Sequence, residues 1–212
     1  MRVLAVAHSK GGVGKSSLTF ALALEAARAG RRVLVVDTDA PQGTLGLFVA
    51  ARGDREPRLA LVSTHDPLAD VPPLADRYDV ALIDAGGRDT GTLRRALATA
   101  DTVLLPCRPS PADLWSLADV FDVTTALAEV RPVRVVVALV QVPVGNIGDE
   151  ARELVAGELR PGVELARTSI ASRVSWARAL ASGLSPAELE PGGHAADELQ
   201  HLARELKLTG RG

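Results

Sequence analysis

The sequence predicts an α/β fold in which a mostly parallel, twisted β-sheet carries helices on both faces. Short apolar runs alternate with helix-patterned segments almost to the end of the chain, the pattern of βαβ units. Hydrophobic residues make up 47% of the 212 residues, but aromatic residues only 3%. A core built from Val, Leu, Ala and Ile is what a parallel sheet covered by helices requires. Near the N-terminus an apolar run, a glycine-rich turn and a helical pattern follow one another directly. The length suits a single domain spanning 1–212.

Taken in order, Val3–Ala7 reads as a buried strand and Leu18–Ala29 as a helix stopped by Gly30. Arg32–Asp37 is the second strand, Leu59–Ser63 follows a charged loop over Arg52–Arg58, and Asp79–Asp84 is the fourth. A short helix over Thr92–Thr99 precedes the strand Asp101–Leu105. Ala112–Glu129 reads as one long helix and Val133–Val140 as a fully buried strand. Helix Asp149–Glu158, a last strand Val163–Leu165, helix Ser172–Ala181 and a terminal helix His194–Leu206 complete the chain.

The chemistry begins at Lys10-Gly11-Gly12-Val13-Gly14-Lys15-Ser16-Ser17. Between a strand and a helix, such a turn presents main-chain N–H groups to phosphate oxygens at the helix N-terminus. Its glycines admit the close approach. Lys15 then reaches the β- and γ-phosphates, and the Ser16 hydroxyl completes the shell of a Mg²⁺ ion. The usual spacing, G-x-x-x-x-G-K-[ST], wants a glycine where Ser9 stands; instead a second lysine, Lys10, precedes the glycine pair. This two-lysine form, K-G-G-x-x-K-[ST], resembles the ParA/MinD family of deviant Walker-A P-loop ATPases. The resemblance implies a P-loop NTPase fold with ATP and Mg²⁺ held by Gly11, Gly12, Val13, Gly14, Lys15, Ser16 and Ser17. It also implies a homodimer formed on ATP binding, in which Lys10 reaches the nucleotide of the other subunit.

Three further stretches stand at strand ends, where open α/β sheets bind ligands. Asp37-Thr38-Asp39-Ala40-Pro41-Gln42-Gly43-Thr44 resembles the D-x-D-P-Q-G switch segment of ParA proteins, with Ala40 inserted. The likeness makes Asp37 a structural or metal-shell carboxylate and Asp39 the residue that orients or deprotonates the attacking water. The insertion leaves the loop's path and the role of Gln42 open. Asp84, after the apolar Val80–Ile83, has the Walker-B arrangement, whose carboxylate holds a Mg²⁺-bound water. Gly86-Gly87 is a candidate second switch, and Asp89 reads as a helix cap. Pro106-Cys107-Arg108-Pro109-Ser110-Pro111-Ala112-Asp113-Leu114 is similar to the P-x-x-P-S-P-x-D segment of short ParA proteins, ParF among them. That likeness places Pro109 near the nucleotide and the dimer interface. Three prolines stiffen the loop, Asp113 stands where a helix begins, and Cys107 reads as packed and passive. The family's base contact falls near Gln141, without the arginine expected there.

The resemblance to the short ParA class covers nearly the whole chain. It implies a switch that moves a cargo: a plasmid or chromosome held by a centromere-binding partner that stimulates hydrolysis. The same engine positions protein cargo such as a chemoreceptor array or microcompartment. The class's non-specific DNA patch maps to Arg167, Arg173 and Arg178, in a stretch from Leu165 to Ala187 without an acidic residue. A solvated helix face explains these arginines equally, and the net charge of −2 gives no global attraction to nucleic acid or anionic lipid. Leu199, Leu202, Leu206 and Leu208 are candidates for a MinD-like membrane anchor, but the mixed charges over Asp197–Lys207 favour a packed closing helix. One cysteine excludes a disulfide framework and a CxxC metal site. No apolar run approaches the roughly 18 residues of a membrane span, and the first strand leaves no room for a signal peptide. The expectation is a cytoplasmic protein, on the nucleoid in its ATP state. Two other classes stay open: a metabolic ATP-dependent enzyme of the same superfamily, and a nucleotide-binding module that does not hydrolyse.

Overall fold

The computed structural model describes every residue except 40–42, 87–89, 145–146 and 211–212. The elements in its first half are β1 (Arg2–Ala7), α1 (Lys15–Arg28), β2 (Val33–Asp37), α2 (Thr44–Arg52), β3 (Ala60–Ser63), α3 (Pro67–Asp70), a 3₁₀ turn at Pro72–Leu74, β4 (Val80–Ala85), α4 (Thr90–Thr99) and β5 (Thr102–Cys107). There follow α5 (Pro111–Trp115), α6 (Ala118–Ala128), β6 (Arg134–Val142), α7 (Ile147–Glu158), β7 (Val163–Leu165), β8 (Ile170–Ala171), α8 (Val174–Ala181), α9 (Pro186–Leu189) and α10 (His194–Glu205). One sheet runs β3-β2-β4-β1-β5-β6-β7, with β8 paired to the end of β6. Every ladder is parallel. Helices cover both faces: α1, α2, α8 and α10 over one core, α4, α5 and α6 over the other. The α/β expectation holds.

Register decides where the chemistry gathers. Asp37 lies beside Asp84 across β2 and β4, and Ala7, the last residue of β1, beside Ala85. The strand ends that precede the glycine loop, the first aspartate pair and the Walker-B acid are therefore neighbours. Thr38 staples two of them: its Oγ1 donates to Asp84 O at 2.8 Å and accepts from Gly86 N at 2.9 Å.

Four expectations are corrected. The long helix over Ala112–Glu129 is broken at Ser116-Leu117. Ser116 Oγ donates back to Asp113 O, its own carbonyl accepts from Ser9 Oγ, and Leu117 N bonds only three residues back, to Leu114 O. Helix α1 begins at Lys15 rather than Leu18, so the motif's own lysine and serines form its first turn. Val163–Leu165 is not the last strand, because β8 follows and pushes the start of α8 to Val174. Arg52 does not open a charged loop but ends α2.

Arg52 is also fully buried. Its guanidinium forks onto both oxygens of Glu188 at 2.9 Å and donates to the carbonyls of Glu56, Pro57 and Gly183. Gly183, at φ +66°, is required there, since a Cβ would stand 2.2 Å from Arg52 N. Arg52→Met is expected to lower the unfolding free energy by about 2–3 kcal/mol, because Glu188 and three carbonyls lose their donor. Urea denaturation measures it, and an unchanged midpoint would show that the network contributes nothing net.

Candidate functional site

The site is built at the carboxyl ends of β1, β2, β4 and β5. Gly14 caps α1 at φ +92° and Gly12 stands at φ +75°, left-handed conformations that a side chain would strain. At Gly11 and Gly12, apart from their chain neighbours, no atom of the described residues lies within 4 Å of where a Cβ would be. The loop is thus an open cradle ahead of the free N–H groups of a 14-residue helix. Lys15 Nζ points back into this cradle and donates to Lys10 O at 3.0 Å. Burial pulls its pKa down, against the opposing charges of Asp84 and Asp39.

Asp84 is a buried acid at the end of β4. Its Oδ1 is buried with no hydrogen-bond partner among the described residues. Burial pushes its carboxyl up to about 6, although the Ser16 hydroxyl and Lys15 favour the ionised form. A cation or its bound water would answer that orphaned oxygen. In metal-free buffer Asp84→Asn is expected to stabilise the protein by about 2–3 kcal/mol at pH 7. The folded state takes up its proton at a higher pH than the unfolded chain, so the gain is full above pH 6. It shrinks as pH falls and is gone below about pH 4, where both states are protonated. Thermal melts across that range test it; a gain that persists at pH 4 would contradict the cause.

Asp37 is differently engaged. Its Oδ1 accepts from Asp39 N at 2.9 Å and its Oδ2 from Gly46 N at 3.0 Å, fastening the segment between β2 and α2. Gly43 must be glycine for this, because a Cβ would stand 1.9 Å from Asp37 Oδ2. Asp39 is exposed and lies against Gly86. Ala40, Pro41, Gln42, Gly87 and Asp89 are outside the described residues.

Lys10 is engaged by α5 and the loop before it. Its Nζ meets Asp113 Oδ1 at 2.7 Å, and Arg108 Nε and Ser110 Oγ hold Asp113 Oδ2 at 2.9 and 3.0 Å. Burial would raise the Asp113 carboxyl, but the bonds from Arg108, Lys10 and Ser110 outweigh it and hold it at about 2. Pro109 lies in the same loop, outside the wall of the cavity described next, and burial raises the Cys107 thiol to about 11, in keeping with a passive role. His8 was invisible to motif reading. Fully buried, its Nδ1 accepts from Lys10 N at 2.9 Å, and burial, then the charge of Lys15, lower it to about 4. A neutral imidazole therefore fixes the first turn of the loop. A histidine ending an apolar strand just before the motif was the available signal.

A cavity of about 270 Å³ opens beside the loop, walled by Gly14, Ser17, Gln141, Arg173 and Trp176 among others. Gln141, at φ +53°, turns its amide toward the loop, with Nε2 3.5 Å from Gly12 O. Arg173 is not free for another surface, because Glu198 of α10 pairs with it at 2.8 Å. Glu205, also on α10, accepts from the main chain of Arg167 and Thr168. The acid-free stretch around Arg167, Arg173 and Arg178 thus meets its acids in space, and the structure does not assemble the three arginines into one unopposed cluster.

A family model described as the CobQ/CobB/MinD/ParA nucleotide binding domain matches residues 4–187. The chain belongs to this family. The maintenance of carboxysome distribution protein A of Halothiobacillus neapolitanus is 27% identical over 208 residues, covering 96% of this chain and 95% of that protein. The chromosome-partitioning ATPase Soj of Thermus thermophilus is 31% identical over 161 residues, 62% of this chain and 63% of Soj. Among solved structures, the septum site-determining protein MinD of Pyrococcus horikoshii, complexed with Mg-ADP, superposes with a TM-score of 0.78 at 20% identity, over 99% of this chain and 97% of that one. The ParA/MinD resemblance and the P-loop fold predicted from sequence are both borne out. Nucleotide and Mg²⁺ binding follow at the level of the ParA/MinD family. Among the described residues no helix is long and apolar enough to cross a membrane.

Proposed function

We propose that this ParA/MinD-family chain is a Mg²⁺-dependent ATPase whose residues 1–212 act as one ATP-dependent dimerisation switch. The observation that carries it is the division of labour between two lysines. Lys15 turns back onto the chain's own loop, whereas the Lys10 side chain, 41% exposed, is held by Asp113 instead of by the loop. Main-chain amides of residues 11–17 and the Lys15 amine hold the phosphates of ATP. Ser16 and Asp84 hold Mg²⁺, which when bound neutralises phosphate charge. Asp37 shapes the switch segment, and Asp39 orients or deprotonates the attacking water. In the dimer Lys10 leaves Asp113 for the partner's nucleotide. Trp115, 71% exposed and two residues from Asp113, and Leu47, 68% exposed on α2, supply apolar contact area for that second copy.

Hydrolysis reopens the dimer, and an adaptor protein sets its pace. Such a cycle distributes a cargo. Segregation of plasmid or chromosomal DNA through a centromere-binding adaptor is one cargo class, supported by the likeness to Soj. A protein assembly is the second, favoured by the near full-length match to a carboxysome-distribution protein. The ATP state is nucleoid-associated in both. Asp39→Ala is expected to lower basal phosphate release about tenfold while ATP affinity stays within twofold; equal turnover would remove Asp39 from the chemistry. Co-purification of tagged protein with its adaptor, followed by ATPase stimulation, tests the cargo class.

A further inference from the structure

Helices α4 and α6 both return from the carboxyl ends of strands, α4 after β4 and α6, by way of α5, after β5. Helix α4 buries Leu93, Ala96 and Leu97 in the core it shares with α6 and leaves Arg94, Arg95 and Ala98 on its flank. Helix α6 buries Val120, Phe121 and Thr124, and its flank carries Asp122, Val123, Ala126 and Leu127. Between the two flanks lies a groove of about 600 Å³, with Leu68 of α3 also in its wall. Leu68 is 48% exposed, and Val130, whose N–H bonds the Leu127 carbonyl one turn back, is exposed as well. Helices of 10 and 11 residues make such a trough about 15 Å long.

The charge along the groove is one-sided. Among the described residues, Arg94 and Arg131 form no ion pair. Arg131 spans the end of α4, its Nη2 donating to the carbonyls of Leu97, Ala98 and Ala100. Arg95 reaches Asp66 only at 3.7 Å, with both side chains about half exposed. The acid in the wall, Asp122, is already paired with Arg160, whose guanidinium also lies 5.5 Å from the centre of the Phe121 ring. Three arginines thus follow the α4 edge of an apolar floor, with one long, half-exposed ion pair among them.

We propose that this groove docks an acidic amphipathic helix of a partner protein. Its apolar seam lies on Leu68, Val123, Ala126 and Leu127, and its Asp and Glu side chains face Arg94, Arg95 and Arg131. Such a helix covers exposed apolar side chains and opposes charge that the chain leaves unpaired. A cationic segment fits less well, because the α4 edge repels it. The walls are tied to the nucleotide site. Thr64 N donates to Asp37 O at 3.0 Å, and Thr64 Oγ1 accepts at 2.9 Å from the N–H of Asp66, the cap of α3. Helix α4 is the next element after β4, which ends in Asp84-Ala85, and Thr92 Oγ1 donates to His65 O at 3.2 Å. A helix seated among α3, α4 and α6 therefore bears on the segments that present Asp37 and Asp84. The proposal deepens the adaptor reading above and rests on it: the adaptor that sets the pace of hydrolysis seats here.

The probe is a fluorescein-labelled, hydrocarbon-stapled helix of about 15 residues, with a leucine seam flanked by glutamates. Its fluorescence anisotropy against the full chain with Mg²⁺–ADP is expected to saturate, and Arg94→Glu is expected to bind it about tenfold more weakly. Leu68→Ser is expected to weaken it about fivefold. The same helix with lysines in place of the glutamates is expected to prefer Arg94→Glu over wild type, an inversion that loss of the fold does not produce. Wild type that binds both helices alike, or neither, overturns the proposal. An adaptor that co-purifies equally with wild type and Arg94→Glu overturns its seat here. A wild-type mass that rises with concentration while Arg94→Glu stays a single chain makes a second copy the occupant, through the exposed Glu150, Glu153 and Leu154 of α7, and overturns the partner. The inversion in a chain whose ATP turnover no co-purified protein stimulates supports this surface and removes the adaptor reading.

Discussion

Lys15→Ala is expected to weaken ATP binding about ten- to a hundredfold while leaving the fold intact. The amine is half-buried and depressed in pKa by desolvation, and among the described residues its one hydrogen bond is to the Lys10 carbonyl at 3.0 Å. A cation held so poorly by its own chain gains most from an anionic ligand. A charge-assisted bond to phosphate is worth roughly 1.5–3 kcal/mol, and about 2.7 kcal/mol is a hundredfold in affinity. Removing a desolvated amine that joins no ion pair among the described residues should cost little stability. Isothermal titration with Mg²⁺–ATP reads the loss, and a thermal melt reads the fold. Wild-type affinity in a folded variant would place the phosphates elsewhere.

Lys10→Ala is expected to abolish the ATP-dependent dimer while each monomer still binds nucleotide. Lys10 is held by Asp113, so its transfer to a partner must break a 2.7 Å ion pair whose acid is buried. Asp113 tolerates the departure because Arg108 and Ser110 remain bonded to it. The two substitutions therefore act in opposite directions. Asp113→Asn keeps the shape of the loop but weakens the hold on Lys10, and the dimer dissociation constant with ATP should fall severalfold. Sedimentation velocity at graded protein concentration measures both. A Lys10→Ala dimer as tight as wild type would confine that lysine to a role within one chain.

What the sequence disclosed was local. Lys10–Ser17, the Val80–Ile83 run before Asp84 and the alternation of strands and helices each sit within about ten residues, so spacing alone reveals them. Helix α2 was hidden because Gly43 and Gly46 look like turn residues. Gly43 is there for the Asp37 carboxylate, and Gly46 donates its N–H to the same group. Contacts between distant residues were equally illegible. Asp113 lies 103 residues from Lys10, and the break at Ser116 depends on a hydroxyl at Ser9. The acids that meet the basic stretch ending at Ala187 were hidden for the same reason, since Glu198 and Glu205 return from α10 to Arg173 and to the main chain of Arg167. His8 carried no motif signal, and its place in the loop shows only in its burial and its bond to Lys10 N.

The central claim is that nucleotide identity sets the oligomeric state. Light scattering coupled to size exclusion, with Mg²⁺–ATP and with Mg²⁺–ADP, tests it most directly, using Asp39→Ala protein to hold the ATP state. A doubled mass is expected with ATP alone and a single-chain mass with ADP. Equal masses in both nucleotides would contradict it, and would leave Lys10 bound to Asp113 as a fixture of one chain.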